Sequence, residues 1–113
     1  MEKEFVSYEQ AVAVIKLGFR EPTLRGWDKI GDIWYHPDSD VVVDNPTKSQ
    51  VFRWFREKYG LIGWVEGKRV YRWCIESPIP ADGQLNFSPF KTYEEAENAC
   101  IDKLIEIAKQ QDK

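Results

Sequence analysis

Apolar residues recur at helical spacing in three stretches of the chain and alternate with polar ones between them. Each helical stretch is announced by a Ser or Thr with Gln or Glu three residues on: Ser7 and Gln10, Thr47 and Gln50, Thr92 and Glu95. That spacing is a capping box, in which the two side chains satisfy backbone N–H groups that a helix start leaves unpaired. The first helix is predicted to run from Ser7 through Leu17. Gly18 stops it, and Phe19 stands where a hydrophobic contact closes such an end. The second follows Asn45-Pro46, since proline disfavours helix in the residue before it. Val51, Phe52, Phe55 and Tyr59 make its apolar face, Trp54 flanks that face, and Gly60 supplies the left-handed end. The third opens at Thr92 and runs to about Lys109. Its stripe is Ala96, Cys100, Leu104, Ile107 and Ala108, widened by Ile101 and Ile105.

Strand patterns fill the intervals. Leu24 to Trp27 and Ile33 to Tyr35 read as a hairpin across Asp28-Lys29-Ile30-Gly31, and Val41 to Val43 as a short strand or a lead into Asn45-Pro46. A second hairpin follows Gly60, with its turn placed over Glu66-Gly67-Lys68-Arg69. Ile62, Trp64, Tyr71, Trp73 and Ile75 are expected on its core face, with Val65, Val70, Arg72 and Cys74 opposite. Ser77 to Pro89 carries three prolines and reads as an irregular loop, in which Leu85-Asn86-Phe87 could form a short edge strand. The expected fold is α+β: one domain over residues 1–113, with three helices packed on a small antiparallel sheet made of hairpins, in the order α-ββ-α-ββ-α. Phe5 to Ala11 and Phe90 to Ala96 resemble one another. An internal duplication would produce that likeness, and so would capping chemistry alone.

Charge is unevenly spread. The chain is −3 overall, yet Lys48 to Arg72 holds seven basic and two acidic residues, leaving nine basic and seventeen acidic elsewhere. Aromatic residues interleave with these cations. The candidate binding residues are Arg53, Trp54, Arg56, Lys68, Arg69 and Arg72; Trp54, if only half buried, would supply an anchoring ring. Such a surface suits an acidic partner, whether a protein or a phosphate backbone. The bland alternative is a solvated face carrying ion pairs such as Arg53–Glu57 at helical spacing.

No catalytic or metal constellation stands out. His36 is the one histidine and lacks a nucleophile at a recognisable spacing. Asp38-Ser39-Asp40 begins like a calcium loop, but Val42 and Val43 occupy places that need an oxygen ligand and a glycine. Asp44 does not repair that set. Phosphate-cradling glycine motifs and zinc spacings do not occur, so no cofactor and no metal are expected, and the chain does not read as an enzyme. Glu94, Glu95 and Glu97 complement a helix dipole. Cys74 and Cys100 read as small buried apolar residues in a reducing compartment. No apolar run is long enough to span a membrane, and the acidic start MEKEFVSYEQ lacks a signal-peptide core; both favour a cytoplasmic protein.

The run SQVFRWFREKYGL, with Tyr71-Arg72-Trp73 after it and TYEEAENACIDKLIEI near the end, resembles a family of small proteins encoded by phages and mobile elements of gut bacteria. SYEQAVAVIKLGFREP resembles that family's first helix and its Gly-Phe exit. The likeness is specific at the three helices and weak from Thr23 to Asp44. It implies a mobile-element setting and carries no activity, ligand or catalytic residue. The expected function is therefore an accessory protein-binding module acting on a host protein. The alternative is a nucleic-acid-binding module using the basic segment 48–72, with an unrecognised enzyme a distant third.

Overall fold

The computed structural model of the chain describes residues 4–35, 43–77 and 84–111. The chain packs as two compact units, residues 1–50 and 51–113. The first holds α1 (Tyr8–Lys16), β1 (Arg25–Trp27), β2 (Ile33–Tyr35) and β3 (Val43–Asn45). Helix α2 (Lys48–Tyr59) starts at the end of the first unit and continues into the second. There β4 (Ile62–Gly67), β5 (Tyr71–Glu76), β6 (Gln84–Phe90) and α3 (Tyr93–Gln111) follow. The α+β class is as the pattern predicts. The single sheet is not: there are two three-stranded antiparallel sheets, ordered β2-β1-β3 and β4-β5-β6. Each predicted hairpin gains a third strand. β3 runs from Val43 to Asn45, while residues 41 and 42 lie outside the described residues. The central strand is the first in one sheet and the second in the other, so the likeness of Phe5–Ala11 to Phe90–Ala96 does not extend to a repeated sheet.

In the first unit, Ser7 Oγ accepts the Gln10 N–H at 3.1 Å and Gln10 Oε1 accepts the Ser7 N–H at 3.0 Å, which completes the capping box. The Phe19 N–H reaches the Val14 carbonyl at 2.9 Å around Gly18, and buried Phe19 closes the helix end. Asp28 Oδ1 accepts the N–H groups of Ile30 and Asp32 and shapes the β1–β2 turn. Arg25 on the central strand is buried, with its guanidinium carbon 3.9 Å from the centre of the Phe5 ring. Its Nε donates to Asn45 Oδ1 on β3 at 2.5 Å, and Asn45 Nδ2 donates to the Val6 carbonyl at 3.0 Å. A buried charge thus sits within a hydrogen-bonded, ring-covered pocket.

In the second unit the β4–β5 register decides which side chains face the core. Gly63 pairs with Ile75, Val65 with Trp73 and Gly67 with Tyr71, so the loop is Lys68-Arg69-Val70. A turn over Glu66 to Arg69 would instead set Trp64 opposite Tyr71. The two registers differ by an odd number of residues, and an odd shift turns over every side chain of β4. Trp64 and Ile62 therefore share a face with Cys74, Arg72 and Glu76, not with Trp73 and Ile75, and Val65 moves to the face of Trp73. That face receives the helices. A Cβ on Gly63 would lie 3.1 Å from Cys100 Sγ, Leu104 Cδ1 and Phe52 Cε1, so the missing side chain lets α3 and Phe52 of α2 approach β4 closely there. Val51, Trp54 and Phe55 are all buried on α2. The buried stripe is centred on positions 51, 54 and 55, and Phe52 and Tyr59 lie at its margins.

The third strand, β6, pairs antiparallel with β5, with Trp73 opposite Phe87 and Tyr71 opposite Phe90. A bulge between Tyr71 and Trp73 absorbs Ser88 and Pro89, so a proline without an N–H is tolerated there. The prolines led to a loop reading, but the short edge strand allowed at Leu85-Asn86-Phe87 is present and longer, pairing over Gln84–Phe90. Residues 78–83 lie outside the described residues. Phe55, Leu104 and Ile75 are fully buried. Phe55→Ala should lower stability by about 3–5 kcal/mol through a cavity, and Gly63→Val by about 1–3 kcal/mol through overpacking, both read from chemical-denaturation midpoints. A Phe55→Ala midpoint equal to that of the parent would refute the helix orientation.

Candidate functional site

Two features of the second unit present polar or aromatic groups to solvent. The first lies at the hairpin end of β4 and β5. Glu66 and Arg72 are cross-strand neighbours and form an ion pair; Trp64 Nε1 donates to the other Glu66 oxygen at 3.3 Å. The Arg72 hydrogen bond first, and the Trp64 N–H second, hold the Glu66 carboxyl below the ordinary carboxylate range. Glu66 in turn raises the Arg72 guanidinium. An open depression of about 420 Å³, lined by Glu66, Gly67, Val70, Tyr71 and Arg72, sits at this end. Its carboxylate, that of Glu66, already accepts from both Arg72 and Trp64.

The second feature is an aromatic cluster on the opposite sheet face. α3 lies chiefly over β4 and β5, leaving the β6 margin less covered. There the Phe87 ring stacks on Trp73, with centroids 6.3 Å apart and planes 19° apart, and Phe90 stands 5.8 Å from Phe87. Tyr71 meets Tyr93, the first residue of α3, edge to face at 5.9 Å. Trp73 is 8% exposed, whereas Phe87 is 57% exposed and Tyr93 45%. Val70, in the β4–β5 loop, is exposed as well.

The sequence-derived candidates are not gathered around this cluster as a group. Arg53 is exposed on α2 and pairs with Glu57, Nε to Oε1 at 3.9 Å, as helical spacing predicts. Trp54 is buried rather than half-exposed. It contacts Phe55 and Tyr59 edge to face, and Lys58 Nζ lies 5.2 Å from its ring centre, so it offers no free face for anchoring. Its position at i+3 from Val51 places it inside the stripe. Arg56 is exposed on α2, and Lys68 and Arg69 are exposed in the β4–β5 loop. Arg72 projects from the sheet face opposite the one that meets Phe52, and it is joined there to Glu66, which also accepts from Trp64. Lys48, counted among the basic segment, is buried.

His36, Asp38 and Asp40 lie outside the described residues; Asp44 is exposed on β3. Among the described residues no group of three His, Cys, Asp or Glu side chains could hold a metal. Cys74 and Cys100 are buried free thiols. Burial raises both, Cys100 to about 12, and Cys100 Sγ lies 3.8 Å from the Cys74 carbonyl oxygen. No described helix is long and apolar enough to cross a membrane. Sequence reasoning missed Phe87, Phe90 and Tyr93; the signal available was the Leu85-Asn86-Phe87 alternation. Comparison with known protein families, curated proteins and solved structures finds no significant match.

Two titrations check this geometry. The Glu66 carboxyl, followed by carbon NMR, should titrate below the ordinary glutamate range, and Arg72→Ala should raise it toward that range, with the Trp64 contribution left in place. A folded-state pKa below the unfolded one gives stability that is present above the unfolded pKa and lost as pH falls through the folded value. Glu66→Gln should therefore flatten the acid limb of the stability profile and leave the alkaline limb unchanged. Both cysteines should resist thiol reagents at neutral pH until the chain is unfolded, since the thiolate is the reactive form.

Proposed function

We propose that this chain is a non-catalytic protein-binding module, an accessory protein of the phage and mobile-element kind that acts in the host cytoplasm by docking on a host protein. The observation that supports this reading is Phe87, a ring left 57% exposed while stacked on a buried Trp73. Contiguous exposed apolar groups mark interaction surfaces, and aromatic residues dominate the binding energy of protein interfaces. Phe90, Tyr71, Tyr93 and Val70 extend the surface, and the cross-strand pairing fixes its outline. The resemblance of the three helices to small mobile-element proteins supplies the setting. The nucleic-acid alternative draws less support, because Trp54 and Trp73 are buried and cannot stack on bases.

Affinity capture from a lysate of gut bacteria tests the reading. The parent chain should retain one defined protein, nuclease should not release it, and Phe87→Ala should reduce its capture at least about tenfold with only a small drop in melting temperature. Equal capture by Phe87→Ala would move the docking surface elsewhere. Loss of capture on nuclease treatment would favour nucleic acid.

A further inference from the structure

Resting on the docking reading just given, we infer that the aromatic cluster around Phe87 takes an acidic peptide segment carrying apolar anchors. Charge complementarity points to that occupant. Tyr71 and Phe90 are paired across β5 and β6, and the next residues outward are Val70 in the β4–β5 loop and Lys91 before α3. Lys68 and Arg69 complete the same loop. Lys68, Arg69 and Lys91 are all exposed, and none takes part in an ion pair among the described residues. Of the carboxylates near them, Glu66 is already held by Arg72 and Trp64, and Glu94 and Glu95 complement the start of α3. Unpaired cations thus rim an exposed apolar centre, the arrangement in which rim charges steer an opposite charge and the centre supplies the anchor.

A peptide fits better than a phosphate backbone. Glu94 and Glu95 follow Tyr93 in the first turn of α3, where the helix dipole favours them. A uniformly charged polyanion lying over Tyr93 meets those carboxylates, whereas a peptide can set a neutral residue against them. The exposed rings of Phe87 and Tyr93 also need apolar cover, which the sugar-phosphate backbone of a duplex does not give.

The test is a random displayed peptide library panned on the full chain, with the Phe87→Ala chain as the subtractive target. Peptides that depend on Phe87 should carry net negative charge and at least one large apolar residue. The Lys68→Glu, Arg69→Glu, Lys91→Glu triple variant should bind them about tenfold or more weakly, with both variants melting cooperatively as folded chains. Neutral or basic Phe87-dependent peptides would overturn the acidic occupant and leave the docking reading standing. Finding no Phe87-dependent peptide would overturn both. A parallel titration with single-stranded and duplex DNA and RNA covers the other macromolecule: binding abolished in the triple variant would assign the cations to phosphate instead, whether or not Phe87→Ala also weakens it.

Discussion

The pairing of Gly63 with Ile75 is the constraint on which the second unit depends. The missing side chain at Gly63 admits Cys100, Leu104 and Phe52 to within 3.1 Å of where a Cβ would stand. Closeness there lets α3 bury Ile75, while Trp73 is buried on the same sheet face beneath the Phe87 ring. With that pair set, the pleat sends Trp64, Glu66 and Arg72 to the other face. The Glu66–Arg72 pair and the aromatic cluster are then two consequences of one register, on opposite sides of the same strands.

Local chemistry was legible in the sequence where it is short-range. The Ser7 and Thr47 capping boxes close with both hydrogen bonds, and Thr92 Oγ1 accepts the Glu95 N–H. Gly60, with φ of 69°, ends α2 where the pattern placed the stop. The β4–β5 register was not legible, because Ile62 and Trp64 alternate as convincingly as Gly63 and Val65. Gly67, with φ of 137°, ends β4 instead of centring the turn, so its identity did not mark the loop length. β6 was obscured by prolines, of which Pro89 sits at a bulge and costs no ladder hydrogen bond. Trp54 was misplaced because five of nine residues from Val51 to Tyr59 are apolar or aromatic. That density lets more than one stripe be drawn.

The same difference of range governs the candidate site. Arg53–Glu57 follows from spacing along one helix, and it was predictable. Arg72–Glu66 depends on strand register, and it was not. The ion pairs and the Lys58–Trp54 contact remove several cations from the set available to a partner. Arg56 remains on α2 and Lys68 and Arg69 remain in the β4–β5 loop, and Lys91 joins the loop pair through the Tyr71–Phe90 pairing, which brings together residues nineteen positions apart in the chain. A net charge summed along a segment could not distinguish cations already engaged from those still free, because partners are assigned by folding.

Phe87 separates folding from binding more cleanly than any cation does. Fully burying a Phe side chain is worth about 1.5–3 kcal/mol, and a ring more than half exposed has realised less than half of that in the fold. The remainder is available to whatever covers it. Its orientation is already set, because the ring stacks on Trp73, which is itself held by pairing with Val65 and Phe87. A partner would therefore immobilise little that is not already ordered, which lowers the entropic cost of association. Removing the ring takes away that anchor with a small loss of core, whereas removing Trp73 would strip both the core and the platform beneath the anchor.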